Sequence, residues 1–214
     1  MASIRAYRAG DLDALYAICL QTGDAGADAT ALYADPMLLG HLYAGPYGVL
    51  EPESCFVLED EAGVGGYMIG ARDTPLFEAR LETEWWPQLR ARYPDPGTGR
   101  KLTRDERIMR FIHRPEKTPA RIYTEYPSHL HIDLLPRLQG KGWGARLIAH
   151  WLDAMKARGS RGVHLGTGER NTRAVVFYQK LGFTLIARER GDGMIFAKSF
   201  LPRESGEGVA RERK

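Results

Sequence analysis

The chain has 214 residues, 43% of them apolar and 27% charged, with 30 basic and 27 acidic side chains for a net charge of +3 when the histidines are neutral. That is enough to bury a core without disulfides or metals. It excludes a disordered tail protein, and no run approaches the ~20 apolar residues of a membrane span. Basic and acidic residues alternate rather than gathering into a patch, so no nucleic-acid or membrane partner is expected. Cys19 and Cys55 sit in apolar runs with no CxxC or metal-ligand spacing; they read as buried thiols of a reducing, cytoplasmic compartment, and no metal site is expected.

In chain order, SIRAYR (3–8) alternates as a strand. Asp11 then caps a helix that carries Leu12, Leu15, Ile18 and Cys19 on one face. Residues 21–53 are turn-rich, with short helical pieces near Ala31–Tyr33 and Met37–Leu42. Two β-rich runs, 54–60 and 64–72, flank the turn Glu61-Ala62-Gly63 as a hairpin. From 74 to 125 the character changes. Phe77, Leu81, Trp85 and Leu89 recur every four positions, predicting a helix up to about Tyr93; Thr103 opens a second helix after the Pro-Gly break. This stretch reads as a helical insertion between the third and fourth strands, too short to carry a core of its own.

After Tyr126-Pro127 come a strand at 129–135 and a long helix at about 143–158 with Leu147, Ile148, Trp151, Leu152 and Met155 inward. A strand at 163–168, a helix at 172–181, a strand at 183–189, the turn Arg190-Gly191-Asp192 and a last strand follow. Residues 202–214 have almost nothing apolar and read as a mobile tail. The expectation is one α/β domain over 1–201, with a central mixed, mostly antiparallel sheet of about seven strands flanked by helices.

The stretch Gln139-Gly140-Lys141-Gly142-Trp143-Gly144-Ala145 joins an apolar strand to an amphipathic helix. Glycines there let main-chain N–H groups converge at a helix N-terminus, where an anion is favoured; a phosphate-bearing ligand is implied. A Walker A loop would need Ser or Thr after the lysine, but Gly142 follows Lys141. A Rossmann fingerprint would need G-x-G-x-x-G, and the glycines here are G-x-G-x-G. What remains is Q/R-x-x-G-x-G/A, matched by Gln139, Gly142 and Gly144. Downstream stand Asn171, Ala174, Phe177, Tyr178, Gly182 and Phe183 as N-x-x-A-x-x-F-Y-x-x-x-G-F. Asn171, the chain's single asparagine, also suits a helix cap, and Tyr178 a core aromatic.

On these two motifs the sequence resembles the GNAT acetyltransferase superfamily. Over most of the chain, in pieces such as YAICLQTGD, CFVLEDEAGVGGYMIGARDT, Trp85-Trp86, RDERIM, YPSHLHIDL and SRGVHLGTGERNTRAVVFYQKLGF, it resembles bacterial relatives of the acetyltransferase-like C-terminal domain of eukaryotic O-GlcNAcase. That domain is described as a pseudo-acetyltransferase with a degenerate pyrophosphate loop, whereas Q-G-K-G-W-G is complete here. The resemblance implies the GNAT fold, acetyl-CoA as cosubstrate and N-acetylation of an amine by direct attack; the alternative is a non-catalytic coenzyme-binding or protein-interaction module. No hexosaminidase region is expected, and a homodimer is compatible with the family.

The resemblance further implies that residues 138–145, from Leu138 to Ala145 and including Lys141 and Trp143, donate N–H groups to the coenzyme pyrophosphate. Leu134 and Leu135 would bond the pantetheine arm, the Leu134 N–H would face the thioester oxygen, and Asn171, Ala174 and Phe177 would line the arm. Tyr178, a phenol of pKa near 10, would protonate the leaving thiolate. His129, His131 and Asp133 share one face of their strand by two-residue periodicity, marking a wet or catalytic cleft or else hydrogen bonds to neighbouring helices. His131 and Asp133 are the candidates for proton removal from the amine. Asp24, Asp28, Tyr33, Trp85 and Trp86 are the expected wall of an acidic, aromatic acceptor site, the tryptophans being equally suited to packing the insertion onto the sheet.

Overall fold

The computed structural model describes residues 2–189 and 191–201. The expected mobile tail at 202–214, and Arg190 of the expected turn, lie outside them. Strand β1 (Ser3–Ala6) leads through a 3-10 turn into α1 (Leu12–Thr22); the short helices α2 (Leu38–Tyr43) and α3 (Gly45–Leu50) follow. The hairpin β2 (Phe56–Asp60) and β3 (Gly63–Ala71) comes next. The insertion holds α4 (Thr74–Arg80), α5 (Trp86–Arg92), α6 (Arg104–His113) and α7 (Ala120–Tyr123). The chain continues with β4 (Ser128–Leu134), α8 (Trp143–Ala157), β5 (Gly162–Gly168), α9 (Thr172–Lys180), β6 (Thr184–Arg188) and β7 (Gly193–Ser199).

The seven strands form one sheet in the order β1-β2-β3-β4-β5-β7-β6, antiparallel throughout except for the β4–β5 pair. The strand alternation sorts the core onto two faces. Tyr67 and Ile69 of β3 point to the layer of α1 to α6, with Leu15, Ile18, Phe77 and Trp86. Met68 of β3 and Leu130 of β4 point the other way, onto Leu147, Trp151 and Met155 of α8. Because β4 is central, its polar alternates His129, His131 and Asp133 are held under the helical layer rather than in open solvent.

Two local expectations are corrected. Asp11 stands at the N-cap position of α1, but its side chain does not cap that helix: the carboxylate accepts from the Arg8 N–H at 2.8 Å and from the two terminal Arg5 guanidinium nitrogens at 2.7 and 2.8 Å. The chain therefore enters the helix one turn earlier, through the 3-10 turn that Arg8 precedes. The four-residue apolar period at 77–89 does not give one helix. A wide π turn, Leu81–Trp85, separates α4 from α5 and ends two residues before Pro87, whose missing N–H a continuous helix would not accommodate. The extra residue lets Trp85 and Trp86 both face inward, 6% and 2% exposed. At Thr103 the expected start holds, with Thr103 and Glu106 capping each other.

Candidate active site

Strands β4 and β5 pair only at Ser128–Val163 and His129–His164 and then diverge. Along β4 the antiparallel register with β3 alternates which side each backbone group serves. The Leu135 N–H donates to the Gly65 carbonyl at 2.8 Å, so residues of its parity serve β3, and the Leu134 N–H is directed into the gap towards β5. This corrects the expectation for Leu135, whose N–H is already used. The Leu134 carbonyl is held too, accepting 2.7 Å from Gln139 Nε2. Gln139 Oε1 in turn accepts from Arg173 of α9 at 3.2 Å, so one side chain ties the end of β4 to the facing helix.

The loop before α8 is built to leave donors free. The N–H groups of Leu138 and Gln139 close a 3-10 turn onto Leu135 and Pro136, so the cradle begins two residues later than expected, at Gly140. The first α8 bond runs from Arg146 N–H to the Gly142 carbonyl. The six N–H groups from Gly140 to Ala145 have no acceptor among the described residues. Gly140 and Gly142 stand at φ +71° and +79°, left-handed positions that cost other residues roughly 1–2 kcal/mol. Gly144 serves a different end: a Cβ there would lie 3.1 Å from Phe177 Cζ, so its smallness lets α9 approach α8.

Of the other loop residues, Leu138 is buried at 3% exposure. The Lys141 ammonium turns back to the Arg137 carbonyl at 2.8 Å, and the Trp143 ring lies 4.7 Å beneath the Arg146 guanidinium. These three contribute through the main chain or the core.

Between the diverging strands and α9 lies a cleft of about 530 Å³. Gln139, Gly140, Gly142, Gly144 and Ala145 line one end, and Asn171, Ala174, Phe177 and Tyr178 line one wall. Asn171 caps α9 through Oδ1, which accepts from the Ala174 N–H at 3.1 Å, and its amide NH2 remains unengaged. The Tyr178 hydroxyl bonds to no described residue, and burial, with the negative charge of Asp133, raises its pKa. At the inner end sit His131 and Asp133. The Tyr67 hydroxyl donates to Asp133 Oδ2 at 2.5 Å, yet burial outweighs that bond and pushes the carboxyl up to about 6. Burial, together with nearby His164, takes His131 down to about 4.

A second cavity of about 610 Å³ opens under the insertion. Leu130, His131 and Gly166 line both cavities, so the two meet at His131. Tyr43, Tyr47, Phe77 and Trp86 supply its aromatic wall, and Glu78, Glu82, Glu116 and Glu189 its acids. Of the five residues expected at an acceptor site, the structure brings only Trp86 here. Trp85 donates its indole N–H to the His41 carbonyl at 2.9 Å, a packing role. Asp24 lies 3.6 Å from Arg104, and the Asp28 carboxylate accepts from the Thr30 N–H and hydroxyl. Tyr33 packs on the helical-layer core. The segment expected to supply acceptor acids instead borders the first cleft, through Thr22, Ala25 and Gly26.

Sequence reasoning missed Tyr47, Glu78, Glu82 and Arg173. Arg173 lay inside the N-x-x-A motif and carried a readable signal, a cation beside a phosphate loop. The other three had none, because only the tertiary fold brings α3 and α4 over β4.

A parallel pair that splays inside an otherwise antiparallel sheet, with a row of unpaired N–H groups at a helix N-terminus beside it, suits a ligand with an anionic end. The sequence profile of the acetyltransferase (GNAT) family matches residues 50–183, and the chain belongs to that family. It is 30% identical over 190 residues to the Protein O-GlcNAcase of Rattus norvegicus; the match takes in 88% of this chain but spans about a fifth (21%) of that protein's length. A GCN5-like protein acetyltransferase of Mycobacterium tuberculosis is 31% identical over 135 residues, 59% of this chain and 64% of that protein. Among solved structures, SsHAT superimposes with a TM-score of 0.86 at 41% identity, covering 92% of this chain and 98% of its own. The PaiA N-acetyltransferase of Thermoplasma acidophilum, solved with coenzyme A, shares the fold at a TM-score of 0.57 and 14% identity, over 94% of this chain and 99% of its own. Among the described residues no group of side chains is arranged to hold a metal ion, and no helix is long and apolar enough to cross a membrane.

Proposed function

We propose that the protein is an acetyl-CoA-dependent N-acetyltransferase that acts on a primary amine by direct attack. The observation that carries this reading is the continuity of the two cavities. A cleft that starts at six free N–H groups ends beside the Tyr178 hydroxyl, and a second, acid-rimmed cavity joins it at His131. Acetyl-CoA supplies an activated acyl carbon on a thioester, with a pyrophosphate at the far end of a narrow arm. The residues present suit each part of it.

The N–H groups of 140–145 and the N-terminus of α8 hold the pyrophosphate, with Arg173 adding a cation at the mouth. The diverging edges of β4 and β5 hold the arm, and the Asn171 amide faces it. The Leu134 N–H, free of β3, is the donor to the thioester oxygen as charge develops there. The amine nitrogen bonds to the acyl carbon, the carbon–sulfur bond breaks, the amine loses one proton and the departing sulfur gains one. Tyr178 supplies the proton to sulfur. Its raised pKa keeps it protonated throughout the neutral range. His131 and Asp133 stand where the amine enters, and Asp133, with a pKa near 6, is ionised at neutral pH and able to take the amine proton. Glu116, and Glu78 whose carboxylate accepts only from the Thr118 N–H among the described residues, favour a cationic acceptor, whereas Glu82 is already paired with Arg90.

The test is coenzyme thiol release with the purified protein, acetyl-CoA and a panel of primary amines spanning diamines, amino sugars and lysine peptides. Amine-dependent thiol release matched by the N-acetylated product supports the reading. Coenzyme binding without amine-dependent release from any member contradicts it.

A further inference from the structure

Four side chains on three elements line up between the insertion and the coenzyme cleft. Thr74, the first residue of α4, donates its hydroxyl proton to the Pro127 carbonyl at 2.7 Å. A carbonyl can only accept, so this proton is committed, and the same Thr74 oxygen, 2.8 Å from His129 Nδ1, must receive a hydrogen bond there. His129 therefore carries its proton on Nδ1 and has a bare Nε2. The Tyr47 hydroxyl lies 2.9 Å from that Nε2 and must donate to it. Its one proton spent, the Tyr47 oxygen can only accept from His131 Nε2, 3.1 Å away on its other side. His131 is thus protonated on Nε2, and its Nδ1, which has no partner among the described residues, is left with a free lone pair. That ring borders both cavities.

We propose that Thr74, His129 and Tyr47 are positioning residues: a one-way hydrogen-bond chain, anchored on the Pro127 carbonyl, that holds His131 in the Nε2-protonated tautomer and presents its bare Nδ1 to the acceptor amine. The proposal rests on the amine-transfer reading above for its purpose, but not for its geometry. Burial keeps His129 and His131 neutral near pH 7, as a single-tautomer chain requires. The groups that face the two rings agree. His164, whose ring centre is 5.7 Å from that of His129, is itself fixed by the Tyr126 carbonyl at 2.7 Å, and Tyr43 faces His131 edge-on at 5.9 Å. Within this chain the one site open to a proton from the amine is His131 Nδ1, and nothing along the chain needs to move to receive it; Asp133 stands outside it as a second acceptor.

The experiment reads the histidine ring nitrogens of the full-length, 15N-histidine-labelled protein by long-range 1H–15N correlation at neutral pH, with no coenzyme or amine present. In the unaltered protein His129 should be protonated at Nδ1 and His131 at Nε2. Thr74→Val removes the acceptor for His129 Nδ1 and frees the chain to reverse, so His131 should shift from a single tautomer to a mixture or to Nδ1–H. Thr74→Ser, which keeps the hydroxyl, should restore the original spectrum. In turnover, Thr74→Val should lower kcat about tenfold or more, with coenzyme affinity unchanged within twofold, and Thr74→Ser should recover most of it. An Nδ1-protonated His131 in the unaltered protein, or a His131 tautomer indifferent to Thr74→Val, overturns the chain. These readings stand whether or not any amine is acetylated. Absence of turnover would count against the proposed reaction alone, and the wrong tautomer against the chain alone.

Discussion

The N–H-lined cleft and the acid-rimmed cavity share Leu130, His131 and Gly166 but are built by opposite means. The cleft's decisive groups are main-chain N–H donors freed by glycines, and they come from one run of six residues, 140–145, where the loop after β4 enters α8. The cavity is made of side chains from α2 to α7, β4, β5 and β7 with the loops around them, and its key histidines are oriented by partners 55 and 82 residues away along the chain. A backbone site is local and carries its own pattern of glycines. A side-chain site assembled by an insertion is visible only once the chain has folded. The same difference should govern tolerance to mutation: single changes abolish the first, whereas the second is degraded in parts.

The largest effect should come from the cleft. Gly142→Asp places a carboxylate among the free N–H groups and forces a residue with a Cβ to φ +79°. By titration calorimetry, coenzyme affinity should fall by about a hundredfold or more, from roughly 1–2 kcal/mol of backbone strain plus the charge opposed to the pyrophosphate. Retained affinity would break the distinction outright. Next, Tyr178→Phe should lower kcat by roughly a hundredfold or more while coenzyme binding is preserved, since the loss of a general acid falls on the chemical step.

Asp133 sharpens the contrast through pH. Its carboxyl is raised to about 6 from 3.8, so ionising it costs the folded state more than the unfolded one. The sign follows: its contribution to stability is intact below the unfolded pKa and is lost as pH rises through the folded one. Asp133→Asn keeps an acceptor for the Tyr67 hydroxyl and removes that cost. The variant should be more stable than the parent by about 2–3 kcal/mol at pH 8, with the gain vanishing near pH 3, in paired denaturant titrations. It should also turn over more slowly, a residue kept for chemistry at the expense of stability.

The smallest effects separate the paired tryptophans. Trp86→Phe should raise the acceptor KM severalfold with coenzyme KM unchanged, because Trp86 lines the second cavity. Trp85→Phe should leave both KM values alone and cost about 1–2 kcal/mol in unfolding, from the lost bond to the His41 carbonyl and some packing.

How much of this was legible in the sequence follows the same division. The order of strands and helices, the insertion between β3 and β4, the helix start at Thr103 and the G-x-G-x-G junction could be read directly, since each rests on local periodicity or on a residue type that a turn requires. The π turn at Leu81–Trp85 was hidden because a period of four and a helix with one added residue share most of their inward positions. The 3-10 entry to α1 was hidden because Asp11 has the same chemistry as a cap or as a residue reaching back to Arg8. The Leu135 N–H was misassigned because strand parity depends on its partner strand, which no local pattern reports. Asp24 and Asp28 were plausible by charge, but each is engaged by a neighbour, and the acids that do line the cavity come from α4 and its π turn, the chain after α6 and the end of β6.

In the proposed reaction the free N–H groups of 140–145 anchor the coenzyme by its pyrophosphate. Calorimetric titration with acetyl-CoA, free CoA and S-acetylpantetheine, which shares the arm and thioester but lacks the pyrophosphate, tests it most directly. Acetyl-CoA and CoA should bind at low-micromolar concentration within a few fold of each other, and S-acetylpantetheine more weakly by about a hundredfold or more. Equal affinity for all three, or no binding of CoA at millimolar concentration, would contradict it.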